Sequence, residues 1–190
     1  LASASPRRLD LLAQIGVTPD RIEASDIDET IKARELPKQL CARLAEEKGQ
    51  AVLNRLETSE GDKRFVVLAA DTVVACGRRA LPKAETELDA RGCLELLSGR
   101  SHMVFTGVAL FDGAQSWRRI AATRVQFGRL GVETIEQYLT TGEWRGKAGG
   151  YAIQGKAASF IRGVNGSYSN VVGLPLFETA NLLRTAGYGL

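Results

Sequence analysis

Two adjacent arginines, Arg7 and Arg8, close the opening stretch Leu1-Ala2-Ser3-Ala4-Ser5-Pro6-Arg7-Arg8. Ser5 suits the N-cap of a helix whose first residue is Pro6, because a hydroxyl accepts an orphan backbone N–H and proline has none to lose. Leu9, Leu11, Leu12 and Ile15 give that helix its buried stripe. Both arginines then fall in the first turn, where the helix dipole already concentrates positive charge and free N–H groups point outward. A bound anion resolves the conflict, and phosphate fits best, met by Ser3, Ser5, backbone amides and the guanidinium groups. Two solvated arginines on an amphipathic helix are the plain alternative.

Asp71 follows the apolar run Phe65-Val66-Val67-Leu68-Ala69-Ala70. It is expected at the carboxyl end of a strand, where open α/β sheets collect ligands. A carboxylate there loses hydration unless a metal, a cation or hydrogen bonds replace it; a turn-forming or capping aspartate is the competing role. Asp26, Asp28 and Glu29 form a second acidic group. Carboxylate oxygen suits magnesium or manganese, and one or two carboxylates plus substrate phosphates complete many such sites. A solvated acidic loop is the alternative. Lys48 has Leu44 and Ala45 four and three residues before it, so no preceding acid is spaced to pair with it along a helix. Lys83 follows Pro82 in a segment the proline holds extended. Both lysines also read as ordinary surface residues. Gathered with Arg7 and Arg8 around two acids, they suit a polyphosphate bound through a divalent metal. No GxxxxGK[ST] loop occurs.

Residues 146–155 have the glycine density of a turn or of a loop that approaches a ligand closely. Gln154 can pair with both a donor and an acceptor on a base edge, which fits a pyrimidine. Tyr151, Phe160 and Tyr168 divide between base stacking and the core. His102 is the only histidine. It is expected to anchor a loop or strand, and a histidine-rich metal site within one chain is excluded.

These residues need a scaffold. The 190 residues, 44% apolar and 25% charged, are read as one domain spanning 1–190. The net charge of +3 is dispersed along the chain, which argues against nucleic acid as a partner. No apolar run is long enough for a bilayer, and no signal peptide is expected. Three cysteines without CxxC spacing suit a reducing, cytoplasmic setting. Helices are expected over 6–15, 38–56, 86–97, 132–141 and 175–186. Strands are expected near 1–2 and over 65–70, 102–111, 118–128 and 158–161, with 58–62 a loop. Alternating strands and helices define an α/β fold with a mixed sheet flanked by helices.

The motifs, in order, resemble the Maf family of nucleoside triphosphate pyrophosphatases. The resemblance rests on Leu1 to Arg8, Asp28-Glu29, Leu44 to Lys48, Ala70 to Val74, Leu97 to His102, Thr106-Gly107, Lys147-Ala148-Gly149 and Ser167 to Pro175. It implies an elongated α/β fold of two lobes around a nucleotide-binding cleft, usually as a homodimer. It also implies metal-dependent cleavage between the α and β phosphates of a nucleoside triphosphate. Asp71 would be the general base and touch the metal, while Glu29 helps hold magnesium or manganese. Arg8, Lys48 and Lys83 would bind the triphosphate, with Ser3 and Ser5 adding loop hydrogen bonds. Arg7, Thr72 and Gln154 match the branch that prefers dTTP and UTP over the one that hydrolyses 7-methyl-GTP. A non-catalytic nucleotide- or nucleic-acid-binding regulator of cell division stands as the alternative of another class. Two positions depart from the family pattern. Pro82 precedes Lys83 rather than following it, and Gly49 replaces a common alanine, which predicts a looser helix after Lys48.

Overall fold

The computed structural model describes residues 1–60, 65–113 and 115–189. Ala2 forms a single parallel bridge to Ala69, in place of a longer first strand. Helix α1 spans Pro6–Gln14 and α2 spans Pro37–Glu60. The second helix therefore continues through residues 58–60, where a loop was expected; Gly61 and Asp62 lie outside the described residues. Strands β1 (Val66–Cys76), β2 (Arg79–Ala80) and β3 (Lys83–Ala84) follow, then α3 over Glu87–Leu97. A capping box between Thr86 and Asp89 starts α3 at Glu87, one residue after the expected 86. Next come β4 (Ser101–Asp112), β5 (Gln115–Phe127), α4 (Val132–Leu139) and β6 (Lys147–Ala148). Residues 158–160 belong to a 3₁₀ turn over Lys156–Phe160, and the strand expected at 158–161 begins only as β7, Ile161–Asn165. The run Ala157-Ala158-Ser159 lacks the alternation that would hold it in a sheet. Helices α5 (Tyr168–Val172) and α6 (Leu176–Thr185) complete the chain.

The main sheet runs β2-β1-β4-β5-β7 and is antiparallel at every strand pair, so it is mixed only through the Ala2 bridge. A two-stranded sheet joins β3 to β6. Alternation along β1 assigns the faces. Val67, Ala69 and Val73 pack toward α2, with Leu53, Leu44 and Leu40. Leu68 and Ala70 pack toward α1 and α6, with Leu12 and Leu182. A larger core around Leu94, Val125, Phe127 and Trp144 gathers α3, α4 and the glycine-rich segment over the other half of the sheet.

Asp71 lies inside β1, not at its end. The apolar pattern resumes at Val73-Val74-Ala75, and the strand continues to Cys76 with Asp71 opposite Gly107 of β4. The rule for carboxyl ends of parallel sheets thus does not explain its position. Its burial, at 4% exposure, depends on a partner from α2.

Candidate active site

That partner is Lys48. Its side chain leaves α2 at a buried position, and its Nζ lies 2.6 Å from Asp71 Oδ1 and 2.6 Å from Glu29 Oε1. Glu29 Oε2 accepts a bond of 2.7 Å from Lys83 Nζ. Glu29 therefore links a helix lysine to the lysine of β3, although it sits in a segment without helix or strand. Burial opposes its ionisation, yet hydrogen bonds from Lys48 and Lys83 outweigh that cost and pull its carboxyl down to about 2. The inverted placement of Pro82 leaves Lys83 aimed at this carboxylate.

On the opposite face of β1, Thr72 Oγ1 is 3.0 Å from Thr106 Oγ1, its register partner on β4. Arg8 reaches the same point from α1. Its Nη2 donates to Thr72 Oγ1 at 3.4 Å, its Nε to the Gly173 carbonyl at 2.9 Å, and its Nη1 to Ser3 Oγ at 2.8 Å. Ser3 Oγ also accepts the Ser5 amide at 3.2 Å. Ser5 occupies the N-cap as expected, but its hydroxyl makes no cap bond. Desolvation lowers the pKa of Arg8, opposed by the negative charge of Asp71, and desolvation lowers that of Arg7 as well.

These groups line one cleft of ≈ 360 Å³, together with Gln154, Lys147 and Glu85. Ser3, Ser5, Arg7, Arg8, Glu29, Lys48, Asp71, Thr72, Lys83 and Gln154 all face it. Asp26 and Asp28 do not; Asp28 Oδ1 instead accepts the Thr30 amide and hydroxyl at 2.9 and 2.5 Å. Tyr168 is exposed away from the cleft and Phe160 is a core residue. Tyr151 reaches the cleft wall but is packed edge-on against Phe127 and His102. His102 is buried on β4 with Nε2 2.7 Å from the Tyr151 hydroxyl, which is the anchoring role expected of it. Lys147, quoted in the sequence only as part of the Lys147-Ala148-Gly149 motif and given no site role there, joins the cationic wall; burial, then the nearby Arg7, lowers its pKa. Its place in the Lys147-Ala148-Gly149 motif was the available signal.

The donor set suits a hard divalent cation. Among the described residues no three acidic, histidine or cysteine side chains cluster. Glu29 and Asp71 nevertheless converge on one cationic centre, now the Lys48 ammonium, and a pair of carboxylates completed by phosphate oxygens is a coordination that magnesium favours.

Five cationic side chains facing three carboxylates across an α/β sheet define a cleft for a polyanionic ligand. The family described as "Maf-like protein" matches residues 1–186, and the chain belongs to it. A protein of Caulobacter vibrioides named dTTP/UTP pyrophosphatase is 57% identical over 190 residues, covering 99% of this chain and 95% of its own. Proteins of the same name from Mesorhizobium japonicum and Brucella abortus are each 55% identical over 189 residues, covering 99% of this chain and 91% of theirs.

Proposed function

We propose that this protein is a dTTP/UTP pyrophosphatase that hydrolyses its substrates to the nucleoside monophosphate and pyrophosphate. The names of its relatives support the substrate class. The observation that carries the chemistry is the Lys48 ammonium held between Asp71 and Glu29 in a cleft walled by arginine and lysine. In this reading a water oxygen attacks the α-phosphorus, and Asp71 takes its proton as general base. The bond from the α-phosphorus to the oxygen shared with the β-phosphorus breaks, and that oxygen leaves with pyrophosphate. Arg8, Lys48 and Lys83 bind the phosphate chain and stabilise the charge that grows on the leaving group. Ser3, whose hydroxyl fixes Arg8, and Ser5 complete the loop that meets the phosphates. Magnesium or manganese would be held by Glu29 and Asp71 and would supply Lewis-acid polarisation of a phosphoryl oxygen. Arg7, Thr72 and Gln154 select the pyrimidine, Gln154 through its paired donor and acceptor.

The protein acts in the cytoplasm as a homodimer on this reading. The three free thiols agree with a reducing compartment, and among the described residues no helix is long and apolar enough to cross a membrane. The test is pyrophosphate release from dTTP, UTP, CTP, GTP and 7-methyl-GTP with magnesium. Turnover is expected to favour dTTP and UTP, with the preference eroded in Gln154→Glu. Preferential turnover of 7-methyl-GTP, unaffected by that substitution, would move the protein to the other branch. Tight binding without turnover would make it a nucleotide-binding regulator.

A further inference from the structure

Residues 17–36 contain neither helix nor strand, yet they deliver Glu29 onto both Lys48 and Lys83. Something other than a backbone ladder must hold this segment, because an irregular chain otherwise keeps much of its conformational freedom. Arg43 of α2 makes the necessary bonds. Its Nη2 donates to the Thr30 carbonyl, the residue after Glu29, at 3.0 Å. The same guanidinium grips Glu35 through two bonds, Nε to Oε1 at 2.6 Å and Nη2 to Oε2 at 2.8 Å. Its Nη1 donates to Glu47 Oε2 at 2.8 Å, one helical turn along α2. Glu35 is turned back to meet it by a bend in which Arg34 takes a φ of 61°, a conformation unfavourable for a side chain with a Cβ. Farther along α2, Arg55 Nη1 donates to the Ala24 carbonyl at 3.1 Å. Residues 24–30 are thus laid along α2 and held at both ends, with Lys48 between.

We infer that Arg43 is a positioning residue that keeps the Glu29 carboxylate on the two lysines of the cleft. Only the guanidinium's planar fork serves a carbonyl and two carboxylates at once, so lysine at this position cannot replace it. Arg55, more exposed and holding one carbonyl with the Glu23 carboxylate 3.9 Å away, contributes less. The inference rests on the proposed function where it concerns metal and turnover, but not where it concerns the segment itself.

The experiment compares the full chain with Arg43→Ala and Arg43→Lys by amide hydrogen exchange and by turnover of dTTP across a magnesium titration. Both variants are expected to exchange faster at residues 27–32, with β1 and β4 as protected as before. The half-saturating magnesium concentration is expected to rise about tenfold, the order of effect seen when support outside the ligand shell is removed, while kcat at saturation is largely kept. Unchanged exchange at 27–32, rescue by lysine, or a fall in kcat without a change in magnesium requirement would each overturn the inference. So would lost protection in β1 and β4, which would make Arg43 a residue of global stability. If the unsubstituted protein released no pyrophosphate, the proposed function would fail while exchange still decided the role of Arg43.

Discussion

Lys48 explains how an aspartate can occupy the middle of a buried strand. At 7% exposure beside Asp71 at 4%, the two form an ion pair whose isolated members would each carry a severe desolvation cost. Neither residue announces its partner in the sequence, since 23 positions separate them. His102 shows the opposite case, a buried titratable group with no part in the proposed chemistry. Burial depresses its pKa from 6.5 to about 4. Above pH 6.5 both folded and unfolded chains hold it neutral. As pH falls from 6.5 toward 4, the unfolded chain takes up a proton that the folded one refuses, so stability is lost on acidification. The expected loss attributable to His102 is about 2 kcal/mol by pH 5. Urea denaturation at pH 7.5 and pH 5 measures it, and the double variant His102→Phe/Tyr151→Phe, which leaves no orphan hydroxyl, should show a clearly smaller difference. Equal pH dependence in both proteins would assign the acid sensitivity to other groups.

Helix α2 is the element that assembles the site, and its fit against the sheet depends on two glycines. A Cβ on Gly107 of β4, opposite Asp71, would meet the Cys41 carbonyl of α2, and one on Gly49 would meet the Phe111 ring. Gly49 was expected to loosen the helix after Lys48. Its surroundings show instead a close approach that alanine would obstruct. Gly49→Ala is therefore expected to destabilise the protein by about 1–3 kcal/mol through overpacking, despite alanine's helix preference of about 1 kcal/mol. Gly49→Ala/Phe111→Leu should recover most of that loss in urea denaturation; a Gly49→Ala variant more stable than the parent would contradict the packing. Helical periodicity made α2 legible, as it did α1, α3, α4 and α6, because each buries one apolar stripe in the core. The end of β1 and the 3₁₀ turn were not legible. A single aspartate interrupts an otherwise buried strand only when a distant lysine compensates it, and a short run of small residues carries no period.

Across the whole molecule, the cleft collects residues spread from Ser3 to Gln154. Their chemical types were readable one by one, and their convergence was readable only through the order of the family motifs. Arg43 escaped because its pair with Glu47, four residues on, reads as an ordinary helix-surface pair, while its bonds to the Thr30 carbonyl and to Glu35 follow no spacing rule. Lys147 escaped because a lysine among glycines looks like a solvated turn. What the assembled cleft adds is direction: cationic side chains line it beside Asp71, and on the proposed function they track a phosphate chain while Asp71 activates a water. The most direct measurement identifies the products formed from dTTP with magnesium by the parent protein and by Asp71→Asn. Equal amounts of dTMP and pyrophosphate are expected, with turnover falling by about 10²–10⁴ in the variant while dTTP still binds. Formation of dTDP and phosphate, or undiminished turnover by Asp71→Asn, would contradict this mechanism.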